Sequence, residues 1–502
     1  MRAGLVVAFL GLVGCADGKL AGEELAAADS SALQPAFVPT WVKSIHGDPS
    51  VSDIVVAAQR SYIAGYWRTL LDFHDGDPRT FPDQSTAHPF LAAIDGNGVP
   101  IWLRSFSDDG FGPFFTRMAV TAEDDVIVVG SAGPNGDVGC GIIRPGDALG
   151  LPQGLVSRYA GATGLCMWTR VFVGTPEPDP DSPGALSDVI GVKVEPNGDL
   201  IIAGNFVGGL DFGDGVVLEN HNIAAGQGFV ARLDGRGHAI WARLLGNPDL
   251  RATSAANVDA LTMDFLGNIY LMGRAGGAPL DLAGVKPDYA ATANESFVLS
   301  LRGDGQFRWL YPRNDRERAE SGNQNLRFDA IDVHGRVAVA GRFGGPFEFG
   351  GQTVGAGDEG LFVLDFGIDG HEHWAAVIGK DLIPGPPSLS GQAAPEAPDV
   401  VVDDANRVNM AAPIMGTNGD GFRQNQAFLA VLGSNDGSVL RANVVGESQF
   451  EIGVTRLAFQ PGTGLRLLSL FTIGTARFGS KVVGTPLDRK LQLDWVYMNL
   501  TH

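Results

Sequence analysis

The stretch that decides the fold runs from Val258 to Pro312: VDALTMD (258–264), FLGN (265–268) and IYLMGRA (269–275), then, after a connection, FVLSLR (297–302), GDGQ (303–306) and FRWLYP (307–312). VDALTMD alternates apolar and polar residues with a period of two. FLGN and GDGQ carry the Gly, Asn and Asp that tight turns demand, and IYLMGRA is an apolar run that stops at a Gly. Four short strands joined by such turns form an antiparallel four-stranded sheet. The grammar recurs along the chain. Trp41, Trp102, Trp168, Trp241, Trp309 and Trp374 are separated by 61, 66, 73, 68 and 65 residues, and Arg441 holds the equivalent position 67 residues further on. The 462 residues from Trp41 to His502 divide into seven units of 66.

Repeated four-stranded units of this length predict an all-β fold, a seven-bladed β-propeller of four-stranded antiparallel blades. Residues 41–46 match a fourth strand with no first three before it, while the last unit supplies TRLAFQ, LRLLSL and LQLDWVYMNL and then stops. The N-terminal strand is therefore expected to complete the last blade, since an open ring would leave unpaired edges. The recurring Trp residues are expected to pack between neighbouring blades. Residues 41–502 are read as this single propeller.

Composition narrows the function. Of 502 residues 70 are Gly and 29 Pro, and 36 Lys and Arg face 57 Asp and Glu, a net charge of −21. That balance repels a phosphate backbone, and no basic stretch interrupts it, so no nucleic-acid partner is expected. A monomer is expected.

The first residues have their own logic. Arg2 supplies a positive charge, Leu5–Val13 is apolar, and Leu12-Val13-Gly14-Cys15 closes the run. The run is too short to span a bilayer as a helix and reads as an export signal over 1–14. LVGC resembles the lipobox of bacterial lipoproteins. That resemblance implies cleavage before Cys15, acylation of Cys15, and a lipid anchor in the cell envelope, at the outer membrane on its periplasmic or outer side. Residues 15–40, rich in Ala, Asp, Glu, Ser and Pro, then read as a flexible tether.

EPNGDLIIAGNFVGGLDFGDG (195–215) and GFVARLDGRGHAIWARLLG (228–246) resemble the repeats of bacterial extracytoplasmic β-propeller proteins of the SBBP type and, more loosely, the delta-60 repeat. The echo covers 41–502 and weakens in the last two units, where Ala412 replaces the strand-ending Gly. The resemblance implies an exported propeller and no particular chemistry.

Candidate sites come from loops and charges. The long connections, among them 67–89, 131–153, 207–227 and 379–398, all fall between second and third strands or between units, so one face is elaborated as a working surface. The first strand of every unit carries a charge near its start: Asp53, Arg117, Asp188, Asp259, Arg327, Asp399 and Arg456. These are candidate ligand residues at the mouth of a central channel, Arg for a carboxylate and Asp for a sugar hydroxyl. They are equally suited to pairing with one another and with the backbone.

No cofactor is expected. Asp75 and Asp77, and Asp179 and Asp181, offer oxygens to Ca²⁺ but lack the spacing of a calcium loop, and His371 and His373 lack a third metal ligand. With Cys15 acylated, Cys140 and Cys166 remain for a disulfide, which requires the loop holding Cys140 to fold down the blade. No nucleophile, zinc, P-loop or dinucleotide motif is placed, so no catalytic residue is assigned. The reading is a non-catalytic, lipid-anchored binding or scaffold module for an envelope protein or glycan. The alternative is a propeller enzyme acting on a polysaccharide or small polar substrate at the channel mouth.

Overall fold

The computed structural model describes residues 38–74, 76–80, 87–106, 114–143, 151–175, 184–221, 226–247, 255–277, 281–282, 291–312, 326–355, 360–378, 397–417, 423–448, 451–460, 465–473, 476–478, 481–483 and 493–501. The signal-like segment 1–14, Cys15 and most of the tether lie outside them. The described elements are all β-strands, and no helix among the described residues is long and apolar enough to cross a membrane.

The chain divides into two compact units, one formed by residues 50–69 and 80–319 and the other by residues 1–49, 70–79 and 320–502. In the first, sheet A joins Ser50–Val56, Ser61–Trp67, His88–Ile94 and Pro100–Ser105. Sheet B joins Phe114–Val120, Val126–Ala132, Gln153–Tyr159 and Cys166–Val171. Sheet C joins Leu186–Val194, Leu200–Val207, Gln227–Leu233 and Ala239–Gly246. Sheet D joins Ala255–Met263, Ile269–Gly277, Ala291–Leu301 and Phe307–Tyr311. In each sheet, consecutive strands pair antiparallel.

The second unit repeats the pattern. Sheet E joins Leu326–Val333, Arg336–Phe343, Gly360–Gly367 and Glu372–Ile378, and sheet F joins Asp399–Val402, Val408–Thr417, Arg423–Leu432 and Val439–Ser448. Sheet G joins Glu451–Gln460, Leu465–Ile473 and Leu493–Thr501, and takes its fourth strand from the other end of the chain. Val38–Gly47 pairs antiparallel with Leu493–Thr501, from Val38 opposite Thr501 to Ile45 opposite Trp495.

Within each unit neighbouring sheets pack face to face through apolar clusters. Tyr62, Leu91, Phe115, Val128 and Tyr159 join sheets A and B; Val129, Val156, Ile202 and Phe229 join B and C; Ile201, Val230, Leu271 and Leu299 join C and D. In the second unit Ala338, Val363, Met410 and Leu432 join E and F, and Leu429, Val431, Val496 and Met498 join F and G. Both faces of a middle sheet are therefore buried, which is why its strands read as continuous apolar runs, each large side chain contributing about 1.5–3 kcal/mol.

Asp caps set the turns. Oδ1 of Asp264 accepts the N–H groups of Leu266 and Asn268, and Oδ1 of Asp403 those of Ala405 and Arg407. Asp95, Asp234, Asp304, Asp369 and Asp436 do the same for the N–H two residues on. The connections between second and third strands are partly strands rather than open loops. Leu70–Asp72 pairs with Val38–Gly47, Gly209–Asp211 with Val173–Thr175, Asp281–Leu282 with Ala239–Gly246, and Ala476–Phe478 with Val439–Ser448. Leu71 and Phe73, or Leu210 and Phe212, are buried on either side of an outward Asp, so the Leu-Asp-Phe pieces are framework.

First strands of sheets A to E and G each carry a β-bulge, at Ser52, Thr116, Ile190, Asp259, Asp329 and Thr455. Opposite five of these bulges, the second strand bears the Gly that ends its apolar run. A Cβ on Gly65, Gly130, Gly204, Gly273 or Gly341 would stand 1.8–2.1 Å from the carbonyl oxygen of Ser50, Phe114, Asp188, Asn257 or Arg327. Backbone cannot retreat from such a clash, so Gly273→Ala is expected to cost about 2–4 kcal/mol in denaturant unfolding. Gly96→Ala, where nothing stands within 4 Å, is expected to be near neutral; equal effects of the two would refute the role assigned to the bulge.

Candidate functional site

The bulges give a common register for the seven charged residues of the sequence reading, and they fall on three levels. Asp53, Arg117, Asp399 and Arg456 stand one step beyond the bulge position, Asp399 being opposite Ala411 as Ala330 is opposite Ala340. Asp259 is itself the bulged residue, and Asp188 and Arg327 stand two steps before it.

The first level is a repeated inter-sheet clasp. Asp53 is 1% exposed and its Oδ2 accepts the N–H of Met118 in sheet B at 2.7 Å. Asp399 is 5% exposed and its Oδ2 accepts the N–H of Leu457 in sheet G at 2.6 Å, while its Oδ1 takes Nη1 of Arg456 at 3.2 Å. Arg117 donates through Nη1 to the carbonyls of Ser52 and Thr116. Asp259 is held bidentately by Arg274, at 2.8 and 3.0 Å. Sequence reading missed that Asp329 and Arg342 repeat this pair, at 2.9 and 3.0 Å. The signal was present, because Gly273-Arg274 and Gly341-Arg342 both place an Arg directly after the strand-ending Gly. Arg327 touches Asp329 through Nε at 3.3 Å and leaves 61% of its side chain exposed.

In the first unit the level two steps before the bulge forms a continuous row from sheet to sheet. Tyr66 of sheet A meets Phe114 of sheet B edge to face, with centroids 5.6 Å apart. Phe114 lies opposite Ser131 in the ladder, and the Ser131 hydroxyl acts electrostatically on the Asp188 carboxyl of sheet C. Asp188 lies opposite Asn205, whose side-chain amide accepts the N–H of Val258 at 2.8 Å and donates to its carbonyl at 2.9 Å. Burial pushes the Asp188 carboxyl up to about 6, against the pull of the Ser131 hydroxyl, the Val189 N–H and the Arg117 charge. Its Oδ1 is buried with no hydrogen-bond partner among the described residues. Tyr66, Phe114, Ser131 and Asn205 were not singled out from sequence, since uncharged residues at varying offsets carry no signal until the bulge aligns them.

Cys140 and Cys166 form a disulfide with Cα atoms 5.4 Å apart. The loop folds back because Ile143 and Asn135 exchange backbone bonds with Gly136 and Ile143, and because buried Val138 offers its carbonyl to the Tyr159 hydroxyl at 2.7 Å. Elsewhere, His373 Nδ1 lies 3.0 Å from Oδ2 of buried Asp365, which Arg336 also contacts, while His371 is exposed. Burial pushes the Asp365 carboxyl up to about 6 against the pull of Arg336 and His373. Asp77 is exposed and paired with Arg79, whereas Asp75, Asp179 and Asp181 lie outside the described residues. No cluster of three or more metal-ligating side chains occurs among the described residues.

No protein-family model matches the sequence, and no curated protein matches it. Among solved structures, the chain is similar to the β-propeller domain of the Trilobed protease from Pyrococcus furiosus, at 9% identity and TM-score 0.39, over 89% of this chain and 99% of that one. It is similar to an ulvan lyase of a polysaccharide lyase family, at 11% and 0.44, over 86% and 93%. It is also similar to the quinohemoprotein alcohol dehydrogenase from Comamonas testosteroni, at 13% and 0.40, over 92% and 76%. No residue role is transferred at these identities.

Two outcomes follow for stability. The folded Asp188 keeps its proton up to about pH 6, above its ordinary value of 3.8, so the folded state binds more protons across that window and stability falls as pH rises through it. Asp365 acts with the same sign. Asp188→Asn is expected to flatten the fall and to stabilise the protein above pH 6 by roughly 1–2 kcal/mol in urea titrations; an unchanged pH profile would discard the assignment. The Cys140→Ser, Cys166→Ser double variant opens a link between residues 26 apart and is expected to lose about 3 kcal/mol under oxidising conditions and nothing under reducing ones.

Proposed function

We propose that the chain is an exported, lipid-anchored β-propeller of seven four-stranded blades, closed by its N-terminal strand, that serves as a non-catalytic binding module in the cell envelope. The repeat arithmetic, the sheets A to G and the ladder between Val38–Gly47 and Leu493–Thr501 support the closed ring. The lipobox-like LVGC at 12–15 supports the anchor, and the acidic tether supports a fold held away from the membrane surface.

The observation that carries the non-catalytic reading is the engagement of the first-strand carboxylates. Asp53 and Asp399 are bound to backbone N–H groups of the adjacent sheet, and Asp259 to Arg274. Acid–base chemistry needs a carboxyl that reaches a substrate, and these hold sheets together instead. Asp188 favours the alternative, an enzyme acting on a polysaccharide or small polar substrate, because a carboxyl held near 6 is suited to proton transfer.

The test is a crosslinked pull-down of the full chain from its native envelope, read by mass spectrometry beside Cys15→Ala and with metabolic alkynyl-fatty-acid labelling. Labelling that disappears in Cys15→Ala, with one near-stoichiometric partner recovered only from the labelled protein, is the expected result. Equal labelling of both chains would overturn the anchor, and the absence of any partner would overturn the protein-scaffold form of the reading.

A further inference from the structure

We propose that the row Tyr66, Phe114, Ser131 and Asp188 is a saccharide-binding site, with the apolar face of a neutral sugar ring on Phe114 and its hydroxyls on the Ser131 and Asp188 side of the row. The inference rests on the binding-module reading and gives it a ligand class.

The argument begins with what the fold requires. At the level two steps before the bulge, the residue supplies its carbonyl to the close approach of the Gly opposite, and its side chain is free to vary: Ser50, Phe114, Asp188, Asn257 and Arg327 all occur there. Nothing in the sheet geometry calls for an aromatic at this place. Phe114 nevertheless leaves 39% of its surface exposed, and Tyr66 braces it edge to face at 5.6 Å. A T-shaped partner fixes a ring and leaves a face available for stacking.

Polar chemistry sits directly beside that ring. Residues opposite each other in an antiparallel ladder share a face with Cβ atoms about 5 Å apart, so Ser131 adjoins Phe114, and its hydroxyl acts on the Asp188 carboxyl. Asn205 follows opposite Asp188. An aromatic platform next to a hydroxyl and a carboxyl matches a ligand with one apolar face and a rim of hydroxyls.

Charge narrows the class. A cation would suit an aromatic ring beside a carboxyl, but the Arg117 guanidinium already acts on Asp188 and competes for its charge. A polyanion would meet a chain of net charge −21. A neutral saccharide meets neither obstacle.

The test is isothermal titration of the full chain with cellohexaose, laminarihexaose and chitohexaose, beside hexagalacturonate and choline. Binding of at least one neutral hexasaccharide tighter than about 1 mM is expected, weakened roughly tenfold by Phe114→Ala and by Tyr66→Ala, and kept by Phe114→Trp. Asp188→Asn should weaken it and remove its pH dependence between pH 5 and 7. Thermal melts of each variant separate lost binding from lost folding, and Phe114→Trp carries the result if Phe114→Ala melts early. Failure of all three neutral hexasaccharides to bind, binding of hexagalacturonate or choline alone, or binding indifferent to Phe114→Ala would overturn the site. Chromatography of the titrated sugar distinguishes the two readings: a hexasaccharide bound through Phe114 but cleaved keeps the site and overturns the non-catalytic function.

Discussion

The interaction on which the rest depends is the grip of one sheet's outer strand on the next sheet's last turn. Trp102 lies against Gly164, Trp168 against Gly237, Trp241 against Gly305 and Trp374 against Gly437. Each of these glycines has φ between 67° and 83°, a left-handed conformation that closes the tight turn, and a Cβ on any of them would stand 2.5–3.0 Å from the indole. The same absence of a side chain therefore serves the turn and the packing at once. Two residues along the strand, Arg104 and Arg170 reach over the same turns, to the Thr163 carbonyl at 2.6 Å and to the His238 ring at 2.8 Å. Trp and Arg at i and i+2 act as tongs that fix the offset between neighbouring sheets.

With that offset set, the sheets are also held by hydrogen bonds that cross from a first or second strand of one sheet to the first strand of the next. Met118 donates to Asp53, Val258 to Asn205, Val402 to Asp332 and Leu457 to Asp399. Thr116 donates its hydroxyl to the Val189 carbonyl at 2.6 Å. In sheets B, C, D and G a bulge leaves one residue out of the ladder and turns backbone groups toward the neighbour, and these side chains satisfy them. The consequence for function is a division of labour. Carboxylates one step beyond the bulge are committed to the framework, and side chains two steps before it are released from that duty.

How far this was legible depends on whether a signal is local. Strand order within a unit followed from alternation and turn residues, and the Trp spacing followed from the tongs, so the four strands within Val258–Pro312 were found in order, although the third begins at Ala291, six residues before the apolar run that marked it. The charged first-strand residues were legible as a set but not as a sorted one. Asp188 and Asp259 look alike in sequence, yet one faces a serine hydroxyl across sheets and the other an arginine on its own sheet. A single bulged residue shifts the side-chain alternation, and periodicity alone does not locate it. Asp329 and Arg342, and the row through Phe114, were missed for that reason. The disulfide was open in sequence because the fold of the loop 133–143 rests on the bond between the Tyr159 hydroxyl and the Val138 carbonyl, between residues 21 positions apart.

The sequence by itself determined the all-β class, the repeat and its period, the turn positions and the glycines that end the second strands, because each is set by chain chirality, side-chain alternation or φ over a few residues. Only the tertiary structure decided which acids bind backbone, which pair with arginine and which stand next to an exposed aromatic. Those roles depend on where a bulge places one strand against the strand of another sheet, a relation between residues some sixty positions apart that no local pattern encodes.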